Sequence, residues 1–464
     1  MIGSSWYFLE GVPTPTKVVL GDKLEEGSQF PRPLVYVPMA FDVLHEGHIR
    51  LLETAKQHGH VVVGLLTDAA ISSVKRFPHL PVSQRKTIAQ QLRLVDSVVM
   101  QDTYDTKPNL EWLKPDVVVH SDDWSSGNGA QIRQDIIQTL SAWDGKLIET
   151  PHDPLFSAGD IRNKIRSMGT TPQLRMERFH RILKSKPIMR VIEAHNGLTG
   201  LIAEEAEATT DDATFEFDSI WISSLTDSTA KGKPDIELVD FTSRVRTIEN
   251  VLEVTTKPII VDCDSGGRPE HFVYTVRTLE RLGVSAAVIE DKVGLKKNSL
   301  YGTEVPQTQA TIDEFCHKIR AAKEVLLTEH FWIIARIESL VLDKGVDDAL
   351  RRAHAYVEAG ANAILIHHKK SDPSDLERFL QQFRKSRSDV PIVVVPSAYP
   401  QVYETDLAER GVRVVIYANQ LLRSAYPAML KTAETILKHG RALEADEACL
   451  PIKDVIRLIP DKLT

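Results

Sequence analysis

Residues 286–299 read AAVIEDKVGLKKNS: a short apolar run that ends on Glu290-Asp-Lys and breaks into a loop bearing glycine and lysine. Seven further runs of this kind lie on either side. IMRVIEAHN, FDSIWISS and PIIVDCD precede it; FWIIARIE, ANAILIHH, VPIVVVPS and GVRVVIYAN follow it. Helix-like segments separate them. Apolar runs without alternation are what strands buried on both faces need. Eight strand–helix units over roughly 250 residues are what a closed α/β barrel needs. Most runs finish on polar or ionisable residues: Asn196, Ser223, Asp262 with Asp264, Glu290, Arg336, His367, Ser397 and Asn419. In a parallel barrel all C-terminal strand ends converge on one rim, so these residues are expected to meet in space. Strand ends carry polar residues in any case, because loops begin there. Three acids, an arginine and a histidine arriving on one rim go beyond that.

The chemistry of such a rim follows from its residue types. Asp262 and Asp264 are two apart, so both point to one face of an extended segment. Glu290 ends the next run. Three carboxylates without a His or Cys ligand pattern suit a hard cation, Mg²⁺ above all, held partly through water. Arg336 and His367, on later strands, suit an anionic substrate, with the guanidinium as a bidentate fork.

EDKVGLKKNS resembles the EDK-x(3)-K-x-N-S signature of phosphoenolpyruvate mutases. EAHNGL (193–198), IWISSL (220–225), VDCD (261–264), ARIES (335–339), ILIHHKKSDP (364–373), VVPSAY (394–399) and YANQLLR (417–423) resemble the same family in order. The resemblance spans about residues 186–435. It implies isomerisation of phosphoenolpyruvate to 3-phosphonopyruvate. Carried over residue by residue, it makes Asp262, Asp264 and Glu290 the Mg²⁺ site, directly or through water. Ser223, with the amides of Ser224 and Leu225, would bind substrate. Arg336, His367, Asn298 and Ser299 would hold the phosphoryl group. Asp235, on the loop TDSTAKGKPD, would gate the site, and Lys296 would close over it. The chain lacks the KKCGH of isocitrate lyases. It reads Asn298-Ser299 where phosphonopyruvate hydrolases read Thr-Ser, which favours a mutase. It departs from the family at DCDSGGRP, at Pro234, at Ser224 and at His368.

Five further apolar runs occupy the N-terminal third: LVYVPMAF, HVVVGLLTD, VDSVVMQD, PDVVVHSDD and KLIETPHD. With helical patterns between them, residues 31–165 read as a doubly wound, Rossmann-like α/β domain. The first run leads into Phe41-Asp42-Val-Leu-His45-Glu-Gly47-His48. Two histidines at this spacing could be a metal pair. At a helix start after the first strand they instead suit phosphate, where amide dipoles favour anions. Gly47 would admit close backbone approach. The domain resembles the cytidylyltransferases, most closely the glycerol-3-phosphate cytidylyltransferase type. The matching pieces are AFDVLHEGH, Lys75, Ser83-Gln-Arg85 and Ser121-Asp122-Asp123-Trp124; FSAGDIR (156–162) stands where that family has a Gly-Ile-Ser-Thr-Thr element. The resemblance implies that His45 and His48 stabilise the transition state of transfer from CTP. Phe41, Gly47, Lys75, Arg85, Asp122, Asp123, Trp124 and Ser157 would bind nucleotide or acceptor.

The outline is thus a leader (1–30), a nucleotidyltransferase-like domain (31–165), a linker (166–186), a TIM-type (β/α)8 barrel (187–440) and a tail (441–464). Fused, the two resemblances imply phosphonate biosynthesis. The barrel would make the carbon–phosphorus bond. The first domain would activate a downstream phosphonate, such as 2-hydroxyethylphosphonate or 2-aminoethylphosphonate, as its CMP ester. Two rivals stay open: a phosphonopyruvate hydrolase or 2-methylisocitrate-type lyase on the same barrel, and a non-catalytic nucleotide-binding module in one half. The chain has 464 residues, 42% hydrophobic and 26% charged, with net charge −8. That balance argues against nucleic acid or an anionic membrane as partner. Cys263, Cys316 and Cys449 form no disulfide or zinc pattern, and no apolar stretch is long enough to span a bilayer, so a cytoplasmic protein is expected. The mutase resemblance implies a homo-oligomer that exchanges a C-terminal helix, for which 421–440 is the candidate.

Overall fold

The computed structural model describes residues 30–122, 128–151, 169–210 and 213–459. The chain divides into two compact units. One holds the residues up to 167 together with Glu207–Glu216; the other holds the rest.

In the first unit β1 (Leu34–Met39), β2 (His60–Leu66), β3 (Ser97–Gln101), β4 (Val117–Ser121) and β5 (Lys146–Thr150) form a parallel sheet in the order β3-β2-β1-β4-β5. Both faces are covered. Val35, Val37, Val61 and Val63 pack on one side, Leu34, Tyr36, Val62 and Val118 on the other, which is why the runs do not alternate. The direction of winding reverses between β1 and β4. Their pairing covers only Val35–Val117 and Tyr36–Val118. Two residues on, Pro38 has no N–H to give a ladder, and a cavity opens there. On β2, Gly64 is obligatory: a Cβ would stand 1.9 Å from the Tyr36 hydroxyl. That hydroxyl is buried, donating to Gln101 (2.7 Å) and accepting from Asn109 (2.9 Å).

β6 (Met189–Ala194) opens the barrel. The next two strands leave it. β7 (Glu207–Thr209) and β8 (Thr214–Glu216) pair antiparallel and belong to the first unit. There Thr214 N donates to Val74 O (3.1 Å), Phe77 N donates to Glu216 (3.1 Å), and Arg76 pairs with Glu207 (2.8 Å). The barrel resumes with β9 (Ser219–Ile222), β10 (Ile259–Asp262) and β11 (Ala286–Glu290). A small antiparallel pair, β12 (Lys292–Val293) and β13 (Thr308–Gln309), brackets the loop that carries Lys296 and Ser299. β14 (Trp332–Ile337), β15 (Ala363–Ile366), β16 (Ile392–Val394) and β17 (Val412–Tyr417) complete it. The eight strands are parallel and close through β17–β6, as the eight apolar runs predict.

Residues 166–186, read from sequence as a connector, contain the helix Pro172–Ser185. Thr171 caps it, and Met176, Phe179, Ile182 and Leu183 are buried in the barrel unit. Residues 421–439 lie in the helix Gln420–His439, which Gly440 caps and which has no buried residue although it carries Tyr426, Met429, Leu430, Ile436 and Leu437. No helix among the described residues is long and apolar enough to cross a membrane.

Candidate active sites

In the first unit the chain turns sharply after β1. Phe41 is buried with φ 58°, a left-handed conformation costly for a bulky residue. The turn delivers His45 to the N-cap of the helix Glu46–His58. The His45 N–H donates to His48 Nδ1 (3.4 Å), and the two rings lie 3.9 Å apart between centroids. A Cβ on Gly47 would stand 3.1 Å from the His45 ring, so this glycine seats the histidine as well as keeping the loop thin. A cavity of about 450 Å³ lies against this helix start. His48, Lys75, Tyr104, His120 and Ser121 line it, with Thr209 and Thr214 from the β7–β8 hairpin. Lys75 Nζ is 5.6 Å from the centre of the Tyr104 ring.

Arg85 corrects the sequence reading. It is fully buried and donates to the carbonyls of Ala40 (2.5 Å), Leu66 (2.7 Å) and Leu80 (3.1 Å) and to Asp68 (2.6 Å). Its guanidinium ties the ends of β1 and β2 together and does not line the cavity. Asp122 is exposed at the end of β4 and does not line it either. Asp123, Trp124 and Ser157 lie outside the described residues.

The barrel site is smaller, with a cavity of about 60 Å³. The rim brings together Ser223, Ser224, Leu225, Asp235, Asp262, Lys296, Asn298, Ser299, Arg336 and His367 around it; Asp264 and Glu290 do not line it. Lys296 is the hub. Its ammonium donates to Ser224 Oγ (2.6 Å), to Asp235 (2.7 Å) and to Asp264. Ser224 Oγ in turn donates to Asp262 (2.8 Å), and Asn298 donates to the other oxygen of Asp235 (2.8 Å). Gate, lysine and acids therefore form one connected network. Its carboxylates raise the Lys296 pKa even though burial opposes this. Burial also works against an ionised Asp262, but Lys296, Arg336 and Arg244 outweigh it and hold that carboxyl below its usual range. Asp264 sits at φ 55°, a left-handed turn that aims its carboxylate at Lys296 and Arg244.

Arg336 donates to Ser299 Oγ (2.7 Å) and to Glu338 (2.5 Å). His367 Nδ1 lies 2.9 Å from Arg336 Nη2 and 3.1 Å from Glu338 Oε1. That edge of the ring is committed to protein. Burial first, then Arg336, lowers the His367 pKa, while Glu338 opposes them. Glu338 is fully buried, yet Arg336 and His367 hold it well below the usual carboxylate range.

Sequence reasoning assigned no role to Glu338. Its signal was present, since it follows Arg336 by two residues and shares its face. Arg244 was also missed. It sits in the helix Phe241–Leu252, where an arginine reads as solvent-facing, but it is buried and donates to Asp262 O (2.7 Å) and Asp264 (3.2 Å). Lys292 is a third. It donates to Ser299 Oγ (2.9 Å) and stands 3.2 Å from Glu290.

The donor set can be tested for Mg²⁺. Glu290 is buried, and neither of its oxygens has a hydrogen-bond partner among the described residues; Lys292 and Arg336 stand at 3.2 and 3.3 Å. Burial raises its pKa to about 7, against the pull of Arg336 and Lys292. Among the described residues no three acidic, His or Cys side chains are gathered closely enough to encage an ion. Of Asp262, Asp264 and Glu290 only Glu290 has oxygens without a hydrogen bond, the other two being engaged by Ser224, Lys296 and Arg244; a hard cation here would take few carboxylates and complete its shell with water and substrate oxygens.

The sequence profile described as phosphoenolpyruvate phosphomutase matches residues 179–437. The chain belongs to the phosphoenolpyruvate phosphomutase family. A second profile, cytidylyltransferase-like, matches residues 37–164 of the first unit. A phosphoenolpyruvate phosphomutase of Tetrahymena pyriformis is 33% identical over 302 residues, 65% of this chain and 95% of its own length. Among solved structures, the phosphoenolpyruvate phosphomutase of Streptomyces platensis subsp. rosaceus superposes with TM-score 0.56 at 35% identity, covering 61% of this chain and 94% of its own. A phosphonopyruvate hydrolase solved with oxalate and Mg²⁺ superposes with TM-score 0.55 at 32% identity, covering 62% and 95%.

Proposed function

We propose that the barrel isomerises phosphoenolpyruvate to 3-phosphonopyruvate, and that the first unit transfers CMP from CTP to a phosphonate made downstream. The observation that carries the barrel reading is one small cavity lined by Ser299, Arg336 and His367 together with Lys296 and Asp235.

In the isomerisation the bond from phosphorus to the enol oxygen breaks and a bond from phosphorus to carbon 3 forms. The loose phosphoryl group in transit carries charge on its outer oxygens, so it needs fixed donors and no water. Arg336, His367, Ser299 and Asn298 supply the donors, and Glu338 and Lys292 hold them in place. Ser223, at the N-cap of the helix Ser224–Ala230, presents the amides of Ser224 and Leu225 to the pyruvyl carboxylate. The Asp235–Lys296–Asn298 contact is the closed lid, and it must part for substrate to enter. Asp262, Asp264 and Glu290 would hold Mg²⁺, which when bound supplies positive charge at the pyruvyl oxygens.

In the first unit an acceptor oxygen would attack the α-phosphorus of CTP. The bond to the bridging oxygen would break, its electron pair leaving on pyrophosphate. His45 and His48, at a helix N-terminus, would donate to the α-phosphate as charge builds. The acceptor is 2-hydroxyethylphosphonate or 2-aminoethylphosphonate, each one or more steps beyond the mutase product. The exposed apolar face of Gln420–His439 supports a homo-oligomer in which a second copy covers it.

Hydrolase relatives of similar identity make phosphonopyruvate hydrolysis the second reading. Phosphorus NMR of the full chain with Mg²⁺ and phosphonopyruvate separates the two. Phosphoenolpyruvate should appear; pyruvate and inorganic phosphate in its place would refute the mutase. Pyrophosphate release from CTP with each phosphonate tests the first unit.

A further inference from the structure

The β7–β8 hairpin falls between the first two strands of the barrel in sequence, yet it is part of the first unit and lines the 450 Å³ cavity there. We propose that this hairpin is the wall that selects the acceptor: a small molecule with a phosphonate or phosphate dianion, met by Lys75 and by the hydroxyls of Thr209 and Thr214. The inference rests on the cytidylyl-transfer reading of the first unit.

Three observations carry it. The first is register. Thr209 stands opposite Thr214 and Glu207 opposite Glu216, so these four side chains share one face of the hairpin. The carboxylates on that face clasp residues 76–77: Glu207 holds Arg76, and Glu216 accepts from Phe77 N. The hydroxyls on that face, 3.3 Å apart, line the cavity. Ala208 and Phe215 form the other face, and Phe215 is exposed.

The second is attachment. Thr214 N donates to Val74 O (3.1 Å), and Lys75 is the next residue. The hairpin therefore fixes the backbone that carries the cavity's lysine. Thr209 and Thr214 line the same cavity as Lys75, and hydroxyls and an ammonium facing one cavity suit an oxyanion.

The third is topology. In an open parallel sheet the nucleotide belongs at the switch point, here between β1 and β4, where His48 and Ser121 lie. The hairpin attaches instead to the segment that follows β2, on the opposite side of β1. The cavity runs from His120 and Ser121 to Val74 and Lys75 and so offers that second side to the attacking molecule. The acceptor oxygen then forms its bond to the α-phosphorus as pyrophosphate departs.

The test uses the full chain with Mg²⁺, CTP and either 2-hydroxyethylphosphonate or 2-aminoethylphosphonate, following pyrophosphate release. Thr209→Val with Thr214→Val should raise the acceptor KM at least tenfold and leave the KM for CTP within twofold. Thr209→Ser with Thr214→Ser should restore it. Arg76→Ala, which loosens the clasp, should raise the acceptor KM in the same selective way. Phosphoenolpyruvate mutase activity, measured on each sample, should not change. Equal increases in both KM values, or an increase for CTP alone, would overturn the proposal, as would valine variants that behave like the wild type. If the wild-type chain never turns over CTP, the transferase reading itself falls; turnover indifferent to the hairpin sinks only this inference.

Discussion

The two cavities solve opposite problems. The barrel's is about 60 Å³, walled by charged and polar side chains that bond one another. The first unit's is about 450 Å³, with few charged groups and a wall borrowed from a distant part of the sequence. An intramolecular rearrangement takes one substrate and must keep water out, so a tight, prewired site suits it. A transfer between two molecules needs room for both, so its order comes from the ligands. The barrel should thus tolerate little change near its charges, and the first unit should respond to each substrate separately.

The strongest way to break this contrast is His48→Ala. It should reduce pyrophosphate release from CTP about a thousandfold and leave phosphoenolpyruvate isomerisation unaltered; a parallel fall in isomerisation would show that the two chemistries are not independent. Glu338→Gln comes next. Loss of its charge frees both Arg336 and His367, and kcat of the mutase should fall about a hundredfold, as expected for a misplaced donor pair, with CTP turnover unchanged. An intact mutase kcat would remove Glu338 from the site. Arg352→Ala probes the barrel's prewiring below the rim. Arg352 donates to Asp291 (3.2 Å), Tyr356 (2.8 Å) and Ala310 O (2.8 Å). Without it Asp291, fully buried beside the Glu290 site, loses its cation, and the barrel should lose about 3–5 kcal/mol in urea unfolding followed by mutase activity. Gly64→Ala is the smallest. Its Cβ collides with Tyr36, and the first unit should lose about 1–3 kcal/mol, seen as CTP turnover failing at lower urea while the mutase midpoint stays put.

Legibility in the sequence followed burial. The thirteen strands of the two parallel sheets were readable because nearly all are apolar runs; β5, KLIET, is the exception, with no buried residue. The rim was readable because polar residues end those runs; Ser223, Asp262, Arg336, His367, Ser397 and Asn419 line one cavity, while Asn196, Asp264 and Glu290 do not. What could not be read was direction and company. Arg85 has the residue type of a phosphate ligand, but it is turned inward by three carbonyls and Asp68. Arg244 sits on a helix and reads as a surface charge until Asp262 and Asp264 are placed beside it. The hairpin left no trace, because Glu207-Ala-Thr209 and Thr214-Phe-Glu216 are short and mostly polar, and no local pattern says which unit a polar strand will join.

That hairpin bears on how the protein can be taken apart. Two catalytic halves joined end to end would be separable by one cut near residue 167. Here the same cut deprives the N-terminal fragment of Glu207–Glu216, the partners of Arg76 and Phe77 and one side of its cavity. The units are interleaved in the gene, so recombination that exchanged one half for a homologue would also exchange a wall of the other half's pocket, and the halves are bound to be inherited as a matched pair.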